Sequence, residues 1–213
     1  LAMLLALTSL NLKKSCDRES NYFCIRVVDI AARASEPVNM MVLDHLVHGA
    51  SAKNRPDLMF TDFAALIDKL ALSRKPEAFS AFLIGGGSFS LPRKWSEMGL
   101  AHTLTVAEID PLVTQVAEED FWLDSEKISI LSQDARRALL SDPSKYDVIV
   151  GDAFTDIAVP PHLITQEFFS LVRSRLNEDG VYLMNVIDHM GEFRVVGSLV
   201  ATLETVFKEV EVW

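Results

Sequence analysis

The sequence predicts an α/β fold in which a doubly wound, mostly parallel sheet follows a small N-terminal β appendage. From residue 76 onward, short apolar runs alternate with segments of helical length, which is typical of parallel strands joined by covering helices. The first of these runs, residues 79–84, ends in three glycines, and the second run ends in Glu108. A strand followed by glycines, and one strand later by a carboxylate, is typical of a nucleoside-binding unit.

The N-terminal region, residues 1–75, is predicted to form a β-hairpin and a helix. Residues 22–28 and 38–43 are rich in aromatic and β-branched side chains, which favour strands. Glu36 and Pro37 suit a turn between them. A helix is predicted to begin at Pro56 and Asp57 and to run to about Leu72, before a boundary at residues 73–76.

Residues 76–213 are predicted to form the nucleoside-binding catalytic domain. Pro92 and Pro111 suit the first turns of two helices, and Gly99 suits the end of the first of them. The expected strands are residues 79–84, 103–108, 127–131, 146–151, 181–187 and 209–213, and the expected helices are residues 91–98, 111–119, 134–140, 165–176 and 192–206.

Four consecutive strand ends carry groups that suit a nucleoside. Gly85, Gly86 and Gly87 follow the first strand, and Glu108, Asp134 and Asp152 follow the next three. Because the carboxyl ends of parallel strands meet at one edge of a sheet, we expect these groups to lie together. Glycines let backbone N–H groups approach a ligand closely, and a strand-end carboxylate can bind both hydroxyls of a ribose. Asp134 on its own is explained equally well as a helix N-cap.

The glycine turn favours an adenosine-type ligand such as S-adenosylmethionine over NAD. Ser90 stands where the dinucleotide fingerprint requires its third glycine. The net charge of −10 argues against a nucleic-acid partner, which normally meets a basic surface.

The two cysteines, Cys16 and Cys24, predict neither a disulfide framework nor a zinc site, and the five histidines show no metal-ligand spacing. We therefore expect no metal and a reducing, cytoplasmic location. The apolar residues 1–7 are too few to span a bilayer. Because the chain begins with Leu, a longer upstream part that lies in a membrane stays open as an alternative.

The motifs together resemble the spermidine synthase family of polyamine aminopropyltransferases, and they look closest to its divergent bacterial members, some of which are fused to transporter-like membrane segments. The resemblance runs from about Ser20 to the last residue. It rests on residues 21–23 (NYF), 43–48 (LDHLVH), 84–87 (IGGG), 106–110 (VAEID), 133–135 (QDA) and 146–152 (YDVIVGD).

The resemblance implies a Rossmann-like, methyltransferase-type fold, commonly a homodimer, that transfers an aminopropyl group from decarboxylated S-adenosylmethionine to an amine such as putrescine. A seventh strand, usual in such sheets, is not expected in this chain. The implied roles are cofactor contacts by Gly85, Gly86, Gly87 and His48, ribose binding by Glu108, adenine binding by Asp134, catalysis by Asp152 and amine binding by Asp156. Residues 154–165 match the mobile gate of the family.

Several positions depart from the family pattern. Ser88 replaces an aspartate that holds the amino end of the decarboxylated cofactor, His48 replaces a glutamine, and Phe60 replaces a tyrosine. One extra residue separates Asp152 from Asp156. Two alternatives therefore stay open. One is an S-adenosylmethionine-dependent methyltransferase, whose cofactor carboxylate Ser88 would not repel, and the other is a non-catalytic nucleoside-binding homologue.

Overall fold

The computed structural model describes residues 16–31, 36–155, 158–189 and 191–213. Within these ranges, no helix is both long enough and apolar enough to cross a membrane. Residues 1–7 and Asp156, which the sequence analysis singled out, lie outside the described residues.

The N-terminal sheet is antiparallel and has four strands in the order β1-β2-β3-β4. These are β1 (Arg18–Glu19), β2 (Cys24–Asp29), β3 (Val38–Leu43) and β4 (Leu46–Ala52). Strand β4 was not predicted, because its sequence Leu-Val-His-Gly-Ala-Ser-Ala has few of the β-branched and aromatic residues that mark a strand. A tight turn at Asp44, with φ of 52°, returns the chain from β3 to β4.

Cys16 and Cys24 form a disulfide, so the prediction that they make no such bond is wrong. The antiparallel pairing of β1 with β2 places Glu19 opposite Cys24 and brings the two cysteine Cα atoms to 5.2 Å. A pairing between residues eight positions apart depends on this local hairpin, which the sequence did not reveal. Disulfides persist mainly in oxidising compartments, so the cysteines no longer support the expectation of a reducing location.

The second sheet is parallel and has five strands in the order β7-β6-β5-β8-β9. These are β5 (Phe79–Ile84), β6 (Ala101–Ala107), β7 (Ser129–Leu131), β8 (Tyr146–Gly151) and β9 (Leu176–Met184). The helices are α1 (Asp62–Arg74), α2 (Ser90–Glu97), α3 (Pro111–Asp120), α4 (Ala135–Ser141), α5 (Gln166–Arg175) and α6 (Arg194–Leu203). The predicted doubly wound α/β fold with an N-terminal β appendage is confirmed.

The core lies on both faces of the parallel sheet. On one face α1, α2 and α3 pack with the N-terminal sheet, and Phe79, Phe89 and Trp95 are fully buried there. On the other face α4, α5 and α6 cover the sheet around Phe168 and Phe169. The chain winds outward in opposite directions from β5 and β8, so the gap beyond these two strands is the topological switch point where ligands bind in such sheets.

Three element predictions differ most from the structure. Helix α1 begins at Asp62, five residues after Asp57, whose side chain accepts a hydrogen bond from Arg55. Strand β9 begins at Leu176, five residues earlier than predicted, and a register irregularity carries it through the polar residues that resemble a turn. Residues 209–213 form no strand, although their alternation of acidic and apolar residues predicted one.

Candidate active site

The glycine turn after β5 has a shape that only glycine accepts. Gly85 and Gly87 have φ of +92° and +51°, in the left-handed region that side chains rarely adopt. A Cβ on Gly85 would lie 2.5 Å from the backbone oxygen of Asp152, and one on Gly87 would lie 2.7 Å from that of His48. The turn therefore lies directly against both the end of β8 and strand β4.

Backbone hydrogen bonds continue past the last residues of the parallel strands. The amide of Gly85 donates to Ala107 at 2.9 Å, and the amide of Asp152 donates to Ile84 at 2.9 Å. The amide of Glu108 donates to Leu131 at 3.1 Å. These bonds align the strand ends, so the glycine turn, Glu108 and Asp152 start from one edge of the sheet.

Glu108 is a buried carboxylate that faces the glycine turn. Its Oε2 accepts a hydrogen bond from the amide of Gly86 at 2.8 Å, and its Oε1 accepts one from the amide of Asp110 at 2.9 Å. Burial raises the pKa of Glu108, and the bonds from these amides oppose that shift. A carboxylate of this kind can accept further hydrogen bonds, because its two oxygens offer about four acceptor positions.

Asp152 is the acidic group nearest to the glycine turn on the β8 side. Its Oδ1 accepts a hydrogen bond from the side-chain amide of Asn185 at 2.9 Å. Burial raises the pKa of Asp152 to about 6, and the bond from Asn185 opposes the shift. A carboxylate with a pKa so close to neutrality is suited to accept a proton during a reaction.

Asn185 is a site residue that the sequence analysis missed. It follows β9, and its backbone amide donates to Gly151 at 2.9 Å, which sets it beside Asp152. Its one sequence signal is a polar side chain near the end of the otherwise apolar run 181–187.

His48 comes from the N-terminal sheet and closes the site on the side of β4. Burial lowers the pKa of His48 to about 4, although the nearby charge of Asp44 opposes the shift. The imidazole is therefore neutral at pH 7. His48, Gly85, Gly86 and Asp152 line one narrow cleft of about 20 Å³, so the structure brings these four predicted residues together.

Asp134 lies at the next strand end and has two partners. Its Oδ1 accepts a hydrogen bond from the amide of Arg137 at 2.9 Å, so it is the N-cap of α4. Its Oδ2 lies 2.7 Å from Nε2 of His162. It does not line the cleft beside Asp152, and the sequence analysis did not pair it with His162.

A family model described as the spermine/spermidine synthase domain matches residues 63–213. The chain belongs to this family. The polyamine aminopropyltransferase of Vibrio vulnificus is 36% identical over 121 residues, which cover 54% of this chain and 40% of that protein. The chain spans less than half the length of the curated relatives it matches.

Solved structures of the spermidine synthase family and of a methyltransferase share the fold. A probable spermidine synthase from Corynebacterium glutamicum aligns with a TM-score of 0.76 at 21% identity, over 90% of this chain and 70% of that one. Human methyltransferase-like protein 13, solved in complex with SAH, aligns with a TM-score of 0.59 at 25% identity, over 69% of this chain and 73% of that one.

Ser88 and Phe60, two departures from the spermidine synthase pattern, do not line the cleft. Ser88 does not line the cleft: it is 1% exposed, its hydroxyl has no partner among the described residues, and it lies against Gly49 of β4. Ser90 lines the cleft instead. Phe60 is 42% exposed, while Phe63 is the α1 aromatic residue that lines the cleft.

The narrow cleft of about 20 Å³ is small for a nucleoside, because small-molecule sites usually enclose several hundred Å³. A larger cavity, of about 610 Å³, lies between α1 and α6 along the edge of β9 that pairs with no other strand in the described part of the chain. It is mainly apolar and includes neither the glycine turn nor Asp152. Glu108 and Gly87 line neither this cavity nor the narrow cleft. The chemistry of the side chains therefore places the candidate site at the narrow cleft.

Proposed function

We propose that this domain catalyses spermidine synthase-like aminopropyl transfer from decarboxylated S-adenosylmethionine to an amine such as putrescine. The observation that carries the proposal is Asp152, a partly buried carboxylate with a pKa of about 6 at the switch point of the sheet. Asn185 orients this carboxylate, and the glycine turn lies directly beside it.

In the proposed reaction, the amine nitrogen attacks the carbon next to the sulfonium sulfur. A C–N bond forms, the C–S bond breaks with its electron pair going to sulfur, and methylthioadenosine leaves. The attacking amine loses one proton, which Asp152 accepts. Because the sulfonium is itself the leaving group, the main contribution of the protein is to position the two reactants.

The remaining predicted residues would hold the two substrates. We assign contacts with the sulfonium nucleoside to the backbone of Gly85, Gly86 and Gly87 and to the ring of His48. Glu108 would bind the ribose hydroxyls and Asp134 the adenine amino group. Asp156 would bind the distal ammonium of the amine, and a homodimer is the expected assembly.

Titration calorimetry followed by a product assay tests the proposal. We expect decarboxylated S-adenosylmethionine to bind more tightly than the intact form, and putrescine to yield spermidine and methylthioadenosine. Asp152→Asn should lower the turnover rate by about 10²- to 10⁴-fold, which is the usual contribution of a general base. Full turnover in that variant would remove Asp152 from the mechanism, and binding without product from any amine would favour a non-catalytic homologue.

An S-adenosylmethionine-dependent methyltransferase is the second candidate. The observation that favours it is the neutral lining of the cleft on the β4 side, where His48 is uncharged at pH 7 and Ser90 carries no charge. Such a lining does not repel the carboxylate of intact S-adenosylmethionine. Tighter binding of the intact form in the same titration would support this candidate over aminopropyl transfer.

A further inference from the structure

His162 contacts Asp134, and the predicted mechanism gives His162 itself no role. Nε2 of His162 lies 2.7 Å from Oδ2 of Asp134, within hydrogen-bond distance. The other carboxylate oxygen, Oδ1, already accepts the amide of Arg137 as the cap of α4. Each carboxylate oxygen of Asp134 therefore has a hydrogen-bond partner within the protein.

We propose that His162 is a positioning residue for the nucleobase: it holds the Asp134 carboxylate so that a 6-aminopurine is bound more tightly than a 6-oxopurine. This inference rests on the proposed nucleoside site. Asp134 accepts two hydrogen bonds from the protein, and its remaining acceptor positions suit the amino group of adenine. A 6-oxo group offers no hydrogen to a carboxylate and would repel it.

The segment around His162 is anchored. His162 belongs to a short 3₁₀ turn, Pro161–Leu163, in which Leu163 is buried in the core beside α5. The guanidinium of Arg136, from α4, donates to the backbone oxygen of His162 at 3.1 Å. Leu163 and Arg136 thus hold the turn that carries the imidazole. The contact with His162 restricts the orientation of the Asp134 carboxylate, which is one-third exposed.

A different role for the same contact makes the opposite prediction. If His162 blocked Asp134 in the free protein, and had to leave before a nucleobase could bind, its removal would tighten binding. In a positioning role its removal weakens binding, and only for ligands that donate a hydrogen to Asp134. The sign of the change and its dependence on the 6-amino group distinguish the two roles, and a purely structural role would weaken both ligands alike.

The test is a calorimetric titration with methylthioadenosine and with its 6-oxo counterpart, methylthioinosine. We compare the unaltered chain with His162→Ala, with His162→Gln, which keeps a donor, and with His189→Ala as a control on another loop histidine. We expect His162→Ala to lower the affinity for methylthioadenosine about tenfold, which is the effect of losing one hydrogen bond. Methylthioinosine binding should not change, His162→Gln should recover most of the affinity, and His189→Ala should have no effect.

Tighter binding by His162→Ala, or an equal loss for both nucleosides, would overturn the positioning role while leaving the nucleoside site in place. Failure of the unaltered chain to bind either nucleoside would instead overturn the proposed function, and this inference with it. A thermal unfolding curve for each variant shows whether it is folded at the temperature of the titration.

Discussion

Asp152 and His48 are two titratable groups of one cleft whose pKa values move in opposite directions for the same reason. Burial disfavours the charged form of each group, so the pKa of the acid rises to about 6 and that of the base falls to about 4. Above pH 6, Asp152 is ionised while His48 is neutral. The cleft then faces an incoming amine with a single negative charge from this pair.

The first prediction concerns the stability of Asp152→Asn as the pH changes. The pKa of Asp152 is higher in the folded state than in the unfolded state. The stability that its protonated form contributes is therefore complete below pH 4 and is lost as the pH rises through 6. Asparagine has no such loss. The free energy of unfolding of the variant, relative to that of the native protein, should therefore rise by about 1 to 3 kcal/mol between pH 4 and pH 7. Denaturant unfolding at the two pH values measures this change.

His48 titrates over the same range but is present in both proteins, so its contribution cancels in the comparison. Asp188→Asn is the matched control. Asp188 accepts hydrogen bonds from the amides of Val195 and Val196, which lower its pKa. Replacing it should therefore change the pH dependence in the opposite direction. An Asp152→Asn protein whose stability follows that of the native protein at every pH would contradict the burial of this charge.

The second prediction concerns Gly85→Ala. The new methyl group would lie 2.5 Å from the backbone oxygen of Asp152, at a φ of +92° that alanine rarely adopts. We expect the free energy of unfolding to fall by about 2 to 4 kcal/mol. Gly99→Ala is the control, because Gly99 has a φ of +65° but no atom within 4 Å of the new methyl group, so about 1 kcal/mol of backbone strain remains. Equal losses in urea unfolding would show that the contact with Asp152 does not matter.

The strand-end residues of the site could be predicted from sequence, whereas their partners could not. Glu108 and Asp152 directly follow apolar runs, and the order of strands in a doubly wound sheet brings such positions to one edge. Asn185 and His162 lie 33 and 28 residues from the carboxylates they contact. Those contacts depend on the register of β9 and on the path of a loop, which a local pattern does not contain.

At the scale of elements, Arg93 links helix α2 by hydrogen bonds to the end of strand β4, the strand that contains His48. The guanidinium donates to the backbone oxygens of Ala52 and Lys53 at 2.8 and 2.7 Å, and it bonds to Glu97 within its own helix. The side chain is only 4% exposed. One planar group therefore satisfies two carbonyls at the end of β4.

The third prediction is that Arg93→Lys loosens this connection. A lysine ammonium cannot reach both carbonyls with the same geometry, so at least one buried acceptor loses its donor. We expect a loss of about 1 to 3 kcal/mol in chemical unfolding and weaker nucleoside binding, because β4 carries His48. Arg55→Lys, in an exposed pair with Asp57, is the control and should change stability by less than about 1 kcal/mol. If both variants lose the same stability, the carbonyl contacts do not hold the two elements together.

Elements were predicted well where burial leaves a clear pattern. Strands β5 and β8 lie on buried, apolar runs that match their predicted bounds. Strand β4 escaped prediction because its buried half is made of Gly, Ala and Ser, which allow the glycine turn to approach closely. Residues 209–213 have the alternation of a strand, but they pair with no strand of the described ranges. Glu211 instead forms an ion pair with Arg74 at 2.7 Å.

At the scale of the whole molecule, the parallel sheet has two unequal edges. Strand β7 has three residues, whereas β9 has nine and, among the described residues, pairs only with β8. The apolar cavity of about 610 Å³ lies along this longer edge. Unpaired backbone groups beside apolar side chains favour association with another chain.

The fourth prediction is that a polypeptide of residues 1–213 alone self-associates through the β9 edge. Sedimentation equilibrium should show concentration-dependent association, which Leu66→Lys weakens at least several-fold by placing a charge in the cavity beside β9. Leu140→Lys is the matched control, because Leu140 is 62% exposed on α4 and does not line that cavity. A chain that stays monomeric at every concentration, or two variants that behave alike, would exclude this surface.

The inequality of the edges also limits how far such association can grow. Two copies that join β9 to β9 across a two-fold axis form a ten-stranded sheet whose outer strands are both β7. A three-residue strand offers little backbone for a third copy to pair with. Assembly of residues 1–213 through this sheet would therefore close at two chains and would not continue into a filament.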